Sequence, residues 1–84
     1  HTATIHEQEL SLTATEFALL RQIVSRPGQV FSRDHLVAAS RGDNVDIFAR
    51  TIDVHIASLR KKLGSDSSWI ETVRGVGYRF REKE

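Results

Sequence analysis

Eighty-four residues suffice for one small domain with one core. Hydrophobic residues at 39% and charged residues at 27% exclude wholesale disorder, and the absence of Cys excludes disulfides and thiolate zinc sites. No apolar run approaches the roughly 18–20 residues of a membrane helix, and the first residues are polar, without a hydrophobic signal region. Net charge is only +1, but residues 1–49 carry −2 and residues 50–84 carry +3. Such asymmetry suits an electrostatic footprint on phosphate; a solvated helix face with a charged tail accounts for it equally well.

Residues 2–12 alternate weakly, which predicts two short strands around a turn near His6 to Gln8. A lone hairpin is unstable in water, so this one pairs with the rest of the domain or belongs to a larger sheet cut off upstream. Thr13-Ala-Thr-Glu16 reads as a capping box at the start of a helix. Behind it Phe17, Leu20 and Val24 form an apolar stripe flanked by Leu19 and Ile23, and Pro27-Gly28 ends the helix. Residues 29–31 are a short extended link. Ser32 caps a second helix, with Asp34 favourably placed at its positive end. Leu36, Val37 and Ala39 supply its buried side and Arg41-Gly42 its stop. Residues 42–46 are a loop by composition, and Ile47-Phe48 is expected to pack back onto the core.

The third helix is basic and amphipathic over residues 50–63. At roughly 100° per residue, Ile52, Ile56, Leu59 and Leu63 share a narrow arc, the core stripe. Arg50, Val54, Ala57 and Lys61 lie opposite, with Ser58 beside them; Thr51, His55, Arg60 and Lys62 lie on the flanks. Gly64 stops the helix and residues 65–68 form a polar connector. Arg74-Gly-Val-Gly77 between two β-prone runs is a hairpin turn. A helix with cations on its outer face suits a major groove, and a tongue with an arginine at its tip suits the neighbouring minor groove.

Val54 is the sharpest single residue. It suits contact with a thymine methyl, although lone exposed apolar residues are common. Gly75-Val-Gly77 lacks the strand–loop–helix setting and the Lys-Ser/Thr of a nucleotide loop. The four histidines show no metal-ligand spacing, and no Ser is visibly paired with a base and an orienting acid, so neither enzyme, metal nor cofactor is expected. Asp53 and Glu71 read as partners of nearby arginines. Trp69 and Tyr78 read as core anchors, with the Tyr78 hydroxyl a candidate for phosphate. Arg74 either enters a minor groove or pairs with Glu71.

Three stretches carry a resemblance: Leu12-Thr-Ala-Thr-Glu-Phe-Ala-Leu-Leu20, Arg50-Thr-Ile-Asp-Val-His-Ile-x-x-Leu-Arg-Lys-Lys-Leu63 and Thr72-Val-Arg-Gly-Val-Gly-Tyr-Arg-Phe80. Over residues 10–81 the chain resembles the C-terminal effector domain of OmpR/PhoB-type bacterial response regulators. The resemblance implies an α+β fold, a winged helix-turn-helix of three helices with a C-terminal hairpin wing. Residues 1–84 would form one such domain, its N-terminal sheet truncated to a residual hairpin and its receiver domain absent. The recognition helix would span about 46–63 and the wing 70–81. By position in the family, Arg50, Thr51, His55 and Arg60 match phosphate-facing residues, and Val54 matches one that meets thymine methyls. Thr72 and Tyr78 match wing residues near the backbone, and Arg74 matches the arginine of the minor groove. Lys61 is expected to hold phosphate without reading sequence. Ala57 and Ser58 stand where some members carry arginines, and Ser58 is kept among the DNA contacts. Arg41 replaces a frequent tryptophan and reaches phosphate by charge. Phe48-Ala49 replaces an acidic pair. Residues 42–48 correspond to the family's transactivation loop, which can touch RNA polymerase.

The resulting expectation is sequence-specific binding of double-stranded DNA by a cytoplasmic two-component regulator, dimeric on direct repeats, with no membrane involved. The rivals are a winged helix that docks an acidic protein through Lys61 and Lys62, and the same domain in a membrane-tethered activator.

Overall fold

The computed structural model describes residues 2–5, 8–41 and 47–82, with side chains from Ser11 onward. The elements are β1 (Thr2–Ile5), β2 (Gln8–Ser11), α1 (Ala14–Ser25), β3 (Val30–Ser32), α2 (Arg33–Ser40), α3 (Ile52–Leu63), β4 (Ile70–Val73) and β5 (Gly77–Phe80). A 3-10 turn at Ala49–Thr51 leads into α3, and a second at Gly64–Trp69 leads out of it, where the sequence suggested only a polar connector. The regular recognition helix therefore starts at Ile52. Ile47 and Phe48 precede it in non-helical backbone, and Asp46 lies outside the described residues.

β1 and β2 pair antiparallel, with Thr2 opposite Ser11 and Ile5 opposite Gln8. The expected turn falls on His6 and Glu7, outside the described residues. This hairpin is a two-stranded sheet by itself; β3, β5 and β4 form a second sheet in that order. The extended link before α2 is thus a strand: Val30 faces Arg79, and Ser32 faces Gly77. It ties the start of the helix-turn-helix to the wing.

Both predicted caps are present. Thr13 Oγ1 accepts from the Glu16 amide at 3.1 Å, and Glu16 Oε1 accepts from the Thr13 amide at 3.0 Å. Ser32 Oγ accepts from the His35 amide at 3.0 Å. Each satisfies amides that a helix start leaves unpaired.

The core gathers Leu12, Leu19, Leu20, Ile23, Phe31, Leu36, Ile47, Ile52, Ile56, Leu59, Leu63, Ile70 and Tyr78. The α3 stripe is as the helical angles require. The α1 face is rotated from expectation: Leu19 and Ile23 are fully buried, whereas Phe17 is half-buried and Val24 is 40% exposed. The reason is Glu16. It lies one turn before Leu19 and Leu20 and is drawn inward by partners on α3, which turns the buried arc of α1 toward its side. On α2, Leu36 and Ser40 are buried while Val37 and Ala39 are only partly so. Ile47 packs onto the core as expected, but Phe48 stays exposed, its ring 5.3 Å from the Arg50 guanidinium carbon.

Two glycines shape the wing for different reasons. The Val76 amide donates to the Val73 carbonyl at 2.9 Å, and Gly75, third residue of that turn, has φ 77°. Side chains disfavour that region. Gly77 needs no unusual backbone angle. A Cβ there would sit 2.0 Å from the Phe31 carbonyl oxygen, so glycine lets β5 lie against β3. Close approach at Gly77 therefore serves the sheet.

Candidate nucleic-acid interface

The outer face of α3 is open. Val54 is 66% exposed, and Ala57 and Lys61 beside it are exposed too, opposite a stripe that is entirely buried. Arg50 is exposed at the 3-10 entry, and Thr51 Oγ1 donates to the Phe48 carbonyl at 2.9 Å. His55 is half-buried on a flank, and Arg41 is exposed as the C-cap of α2. At the wing tip Arg74, Gly75 and Val76 are all exposed.

Arg74 makes no ion pair among the described residues, and the pairing with Glu71 is not formed. Glu71 Oε1 instead accepts from Arg79 Nε at 2.8 Å. Register explains this: Glu71 and Arg79 are direct cross-strand partners, so their side chains leave the same face of the hairpin. The wing-tip guanidinium is left to solvent.

Four other residues assigned to DNA contact are engaged within the chain. Ser58 Oγ donates to Glu16 Oε2 at 2.5 Å. Its hydroxyl hydrogen is thereby taken; only acceptor capacity remains, which a phosphate oxygen cannot use. The Tyr78 hydroxyl likewise donates to Asp53 Oδ1, and the residue is only 4% exposed. Ser58, expected among the DNA contacts, and Tyr78, expected near phosphate, thus serve as internal partners in the free domain, Tyr78 keeping its role as core anchor. Arg60 turns from the outer face toward the wing. Its Nε and one terminal nitrogen donate to the Ile70 carbonyl at 3.1 and 2.6 Å, and the same terminal nitrogen donates to Thr72 Oγ1 at 2.9 Å. Thr72 accepts that bond and keeps its own hydroxyl hydrogen for an outside acceptor.

Two polar clusters hold the flanks of α3. On the α1 side, Glu16 is 2% exposed and receives the Lys62 ammonium at 2.5 Å besides Ser58 and the Thr13 amide. Burial alone would raise its pKa. The hydrogen bonds from Lys62, Ser58 and Thr13 and the Lys62 charge outweigh burial, lowering it from 4.5 to about 2. Lys62 is thus matched to an acid of its own chain, which removes it from the rival acidic-partner surface. On the wing side, Arg33 of α2 forks onto Asp53, Nε to Oδ1 at 3.0 Å and a terminal nitrogen to Oδ2 at 3.2 Å. The Tyr78 hydroxyl and Arg33 hold the Asp53 carboxyl below its usual range. Burial, then Asp53, pushes the Tyr78 phenol up. Arg33 was not singled out from sequence, and Lys62 was read only as a flank residue able to meet an acidic partner. The Asp53 pairing with an arginine was expected, but its partner lies 20 residues away on another helix.

Comparison with known proteins places this arrangement. The family described as "Transcriptional regulatory protein, C terminal" matches residues 7–80. The atypical response regulator protein ChxR of Chlamydia trachomatis is 45% identical over 76 residues, 90% of this chain and 34% of that protein. The phosphate regulon transcriptional regulatory protein PhoB of Escherichia coli K12 is 43% identical over 82 residues, 95% of this chain and 36% of PhoB. The chain thus spans about a third of the length of the curated relatives it matches. Among solved structures, the DNA-binding domain of response regulator AdeR in complex with an intercistronic region superposes with TM-score 0.82 at 36% identity, covering 99% of this chain and 87% of that one. The DNA-binding domain of CpxR from E. coli superposes with TM-score 0.79 at 40% identity, covering 99% and 84%. The chain belongs to the transcriptional regulatory protein C-terminal family, the winged-helix domains of OmpR/PhoB-type response regulators.

Proposed function

We propose that this domain binds double-stranded DNA sequence-specifically, with α3 in the major groove and the β4–β5 wing in the adjacent minor groove. One observation carries the reading: α3 presents an exposed apolar residue, Val54, on a face bordered by Arg50 and Lys61, while the wing tip presents an arginine with no ion pair among the described residues. Lone exposed apolar residues are common, but a valine set among cations on the outer face of a helix suits contact with a thymine methyl. The structurally similar AdeR domain is in complex with an intercistronic region and the Klebsiella pneumoniae RstA domain with the RstA box, which supports DNA as the partner.

In this reading Arg41, Arg50, His55, Lys61 and Thr72 meet phosphate, Val54 reads a methyl and Arg74 enters the minor groove; the Thr51 hydroxyl hydrogen, like that of Ser58, is taken inside the chain, by the Phe48 carbonyl. The parent protein is a cytoplasmic two-component transcription regulator that pairs on direct-repeat half-sites. Residues 42–48 meet RNA polymerase; of these only Ile47 and Phe48 are among the described residues.

The test begins with selection of bound sites from random duplexes, which should converge on one motif. Thymines of that motif are then replaced one at a time by uracil, which removes only the methyl. Binding should weaken at one or more positions in wild type, and much less in Val54→Ala. Equal sensitivity in both proteins removes Val54 as a reader, and failure to converge removes sequence-specific binding.

A further inference from the structure

Two guanidiniums stand over the Tyr78 ring. The Arg33 carbon, from α2, and the Arg60 carbon, from α3, each stand 5.6 Å from the ring centroid. The Tyr78 hydroxyl is held by Asp53 of α3, and Asp53 is held by Arg33. Arg60 also forks onto the Ile70 carbonyl at the root of β4. Asp53 and Arg60 are two helical turns apart on the same side of α3, so both face the wing. Four side chains from three elements thus meet at the base of the hairpin that carries Arg74.

We propose that Arg60, with Tyr78, Asp53 and Arg33, is a positioning brace that sets the wing against α3, and that Arg60 does not act as an independent phosphate contact. The brace deepens the DNA-binding reading above and its DNA readout rests on it. Minor-groove insertion needs Arg74 at a fixed offset from the helix in the major groove. A two-stranded tongue rooted only by β3 can swing; the fork onto the Ile70 carbonyl and the clamped ring oppose that. The guanidinium geometry is essential. A lysine keeps the charge that a phosphate would feel but cannot supply two parallel N–H donors to one carbonyl or stack as a plane on the ring.

The experiment compares Arg60→Ala, Arg60→Lys and Arg74→Ala, singly and in combination, in the 84-residue chain. Without DNA, residual dipolar couplings of backbone amides report the orientation of β4–β5 relative to α3. Both Arg60 variants should reorient or loosen the wing, and Arg74→Ala should not. With duplexes selected from a random pool and flanked by A·T or G·C sequence, Arg60→Lys should lose the A·T-flank preference as fully as Arg60→Ala does. Adding Arg74→Ala to either Arg60 variant should cost less than the product of the two single losses, and the salt slope should fall little further. The proposal is overturned by an unchanged wing orientation in Arg60→Ala. It is overturned equally by full rescue in Arg60→Lys, or by multiplying losses with the salt slope falling by about one more ion, as a separate phosphate contact requires. A reoriented wing combined with no effect of either arginine on DNA affinity sustains the brace and rejects minor-groove insertion of the wing instead.

Discussion

The two flanks of α3 are both secured by a carboxylate, a cation and a hydroxyl, yet they do different work. On the α1 flank, Glu16 is sealed from water and its oxygens take bonds from Lys62, Ser58 and the Thr13 amide. On the wing flank, Asp53 and Arg33 remain about half exposed and only the Tyr78 ring is buried. A buried carboxylate that loses a partner keeps its desolvation cost, so the first cluster bears on stability. An exposed ion pair is screened by water and adds little to stability, so the second bears on geometry. The same residue chemistry thus fastens the helix on one side and aims its neighbour on the other.

The largest expected effect tests what both flanks share. Ile56 lies at the centre of the buried α3 stripe, and Ile56→Ala should destabilise by roughly 2–5 kcal/mol in denaturant titration, as large-to-small core changes do. An unchanged midpoint would show that the flanking clusters hold α3 without the stripe.

Next comes the sealed flank. Lys62→Ala removes the charged donor to Glu16 and should cost about 1.5–3 kcal/mol, toward the lower end because the lysine side chain is itself partly exposed. The same cluster predicts an acid response. Because the folded pKa of Glu16 is depressed, its contribution is fully present above the ordinary value of 4.5 and is lost as pH falls toward about 2. Stability against pH should therefore drop across that window in wild type and drop less in Glu16→Gln. Parallel curves for the two proteins would place the acid sensitivity elsewhere.

The smallest effect belongs to the open flank. Arg33→Ala should leave the melting midpoint nearly unchanged while altering the wing amide resonances. If it proves as destabilising as Lys62→Ala, the distinction between a fastening flank and an aiming flank fails.

Local patterns were legible in the chain. The Thr13 and Ser32 caps depend on bonds across three residues, and the α3 stripe depends only on helical period, so sequence spacing sufficed for both. The outward position of Val54 followed from the same angles. The wing turn was marked by its glycines. The α1 face was misjudged because apolar periodicity gave no weight to Glu16; a glutamate in a capping box reads as a surface residue until Lys62 and Ser58, more than 40 positions away, are brought to it. Ser58 and Tyr78 read as DNA contacts for the same reason: their internal partners, Glu16 and Asp53, lie far away in the chain.

The sequence by itself determined the helices, their caps, the wing and the face of α3 that meets solvent, because each follows from period and neighbours within a few residues. Only the tertiary structure decided which cations remain available. Arg33, Arg60, Lys62 and Arg79 are drawn to a carboxylate or carbonyl of a neighbouring strand or element, while Lys61 and Arg74 have no such partner among the described residues. Charge is written in the sequence, but its partner is set by which elements the core brings side by side.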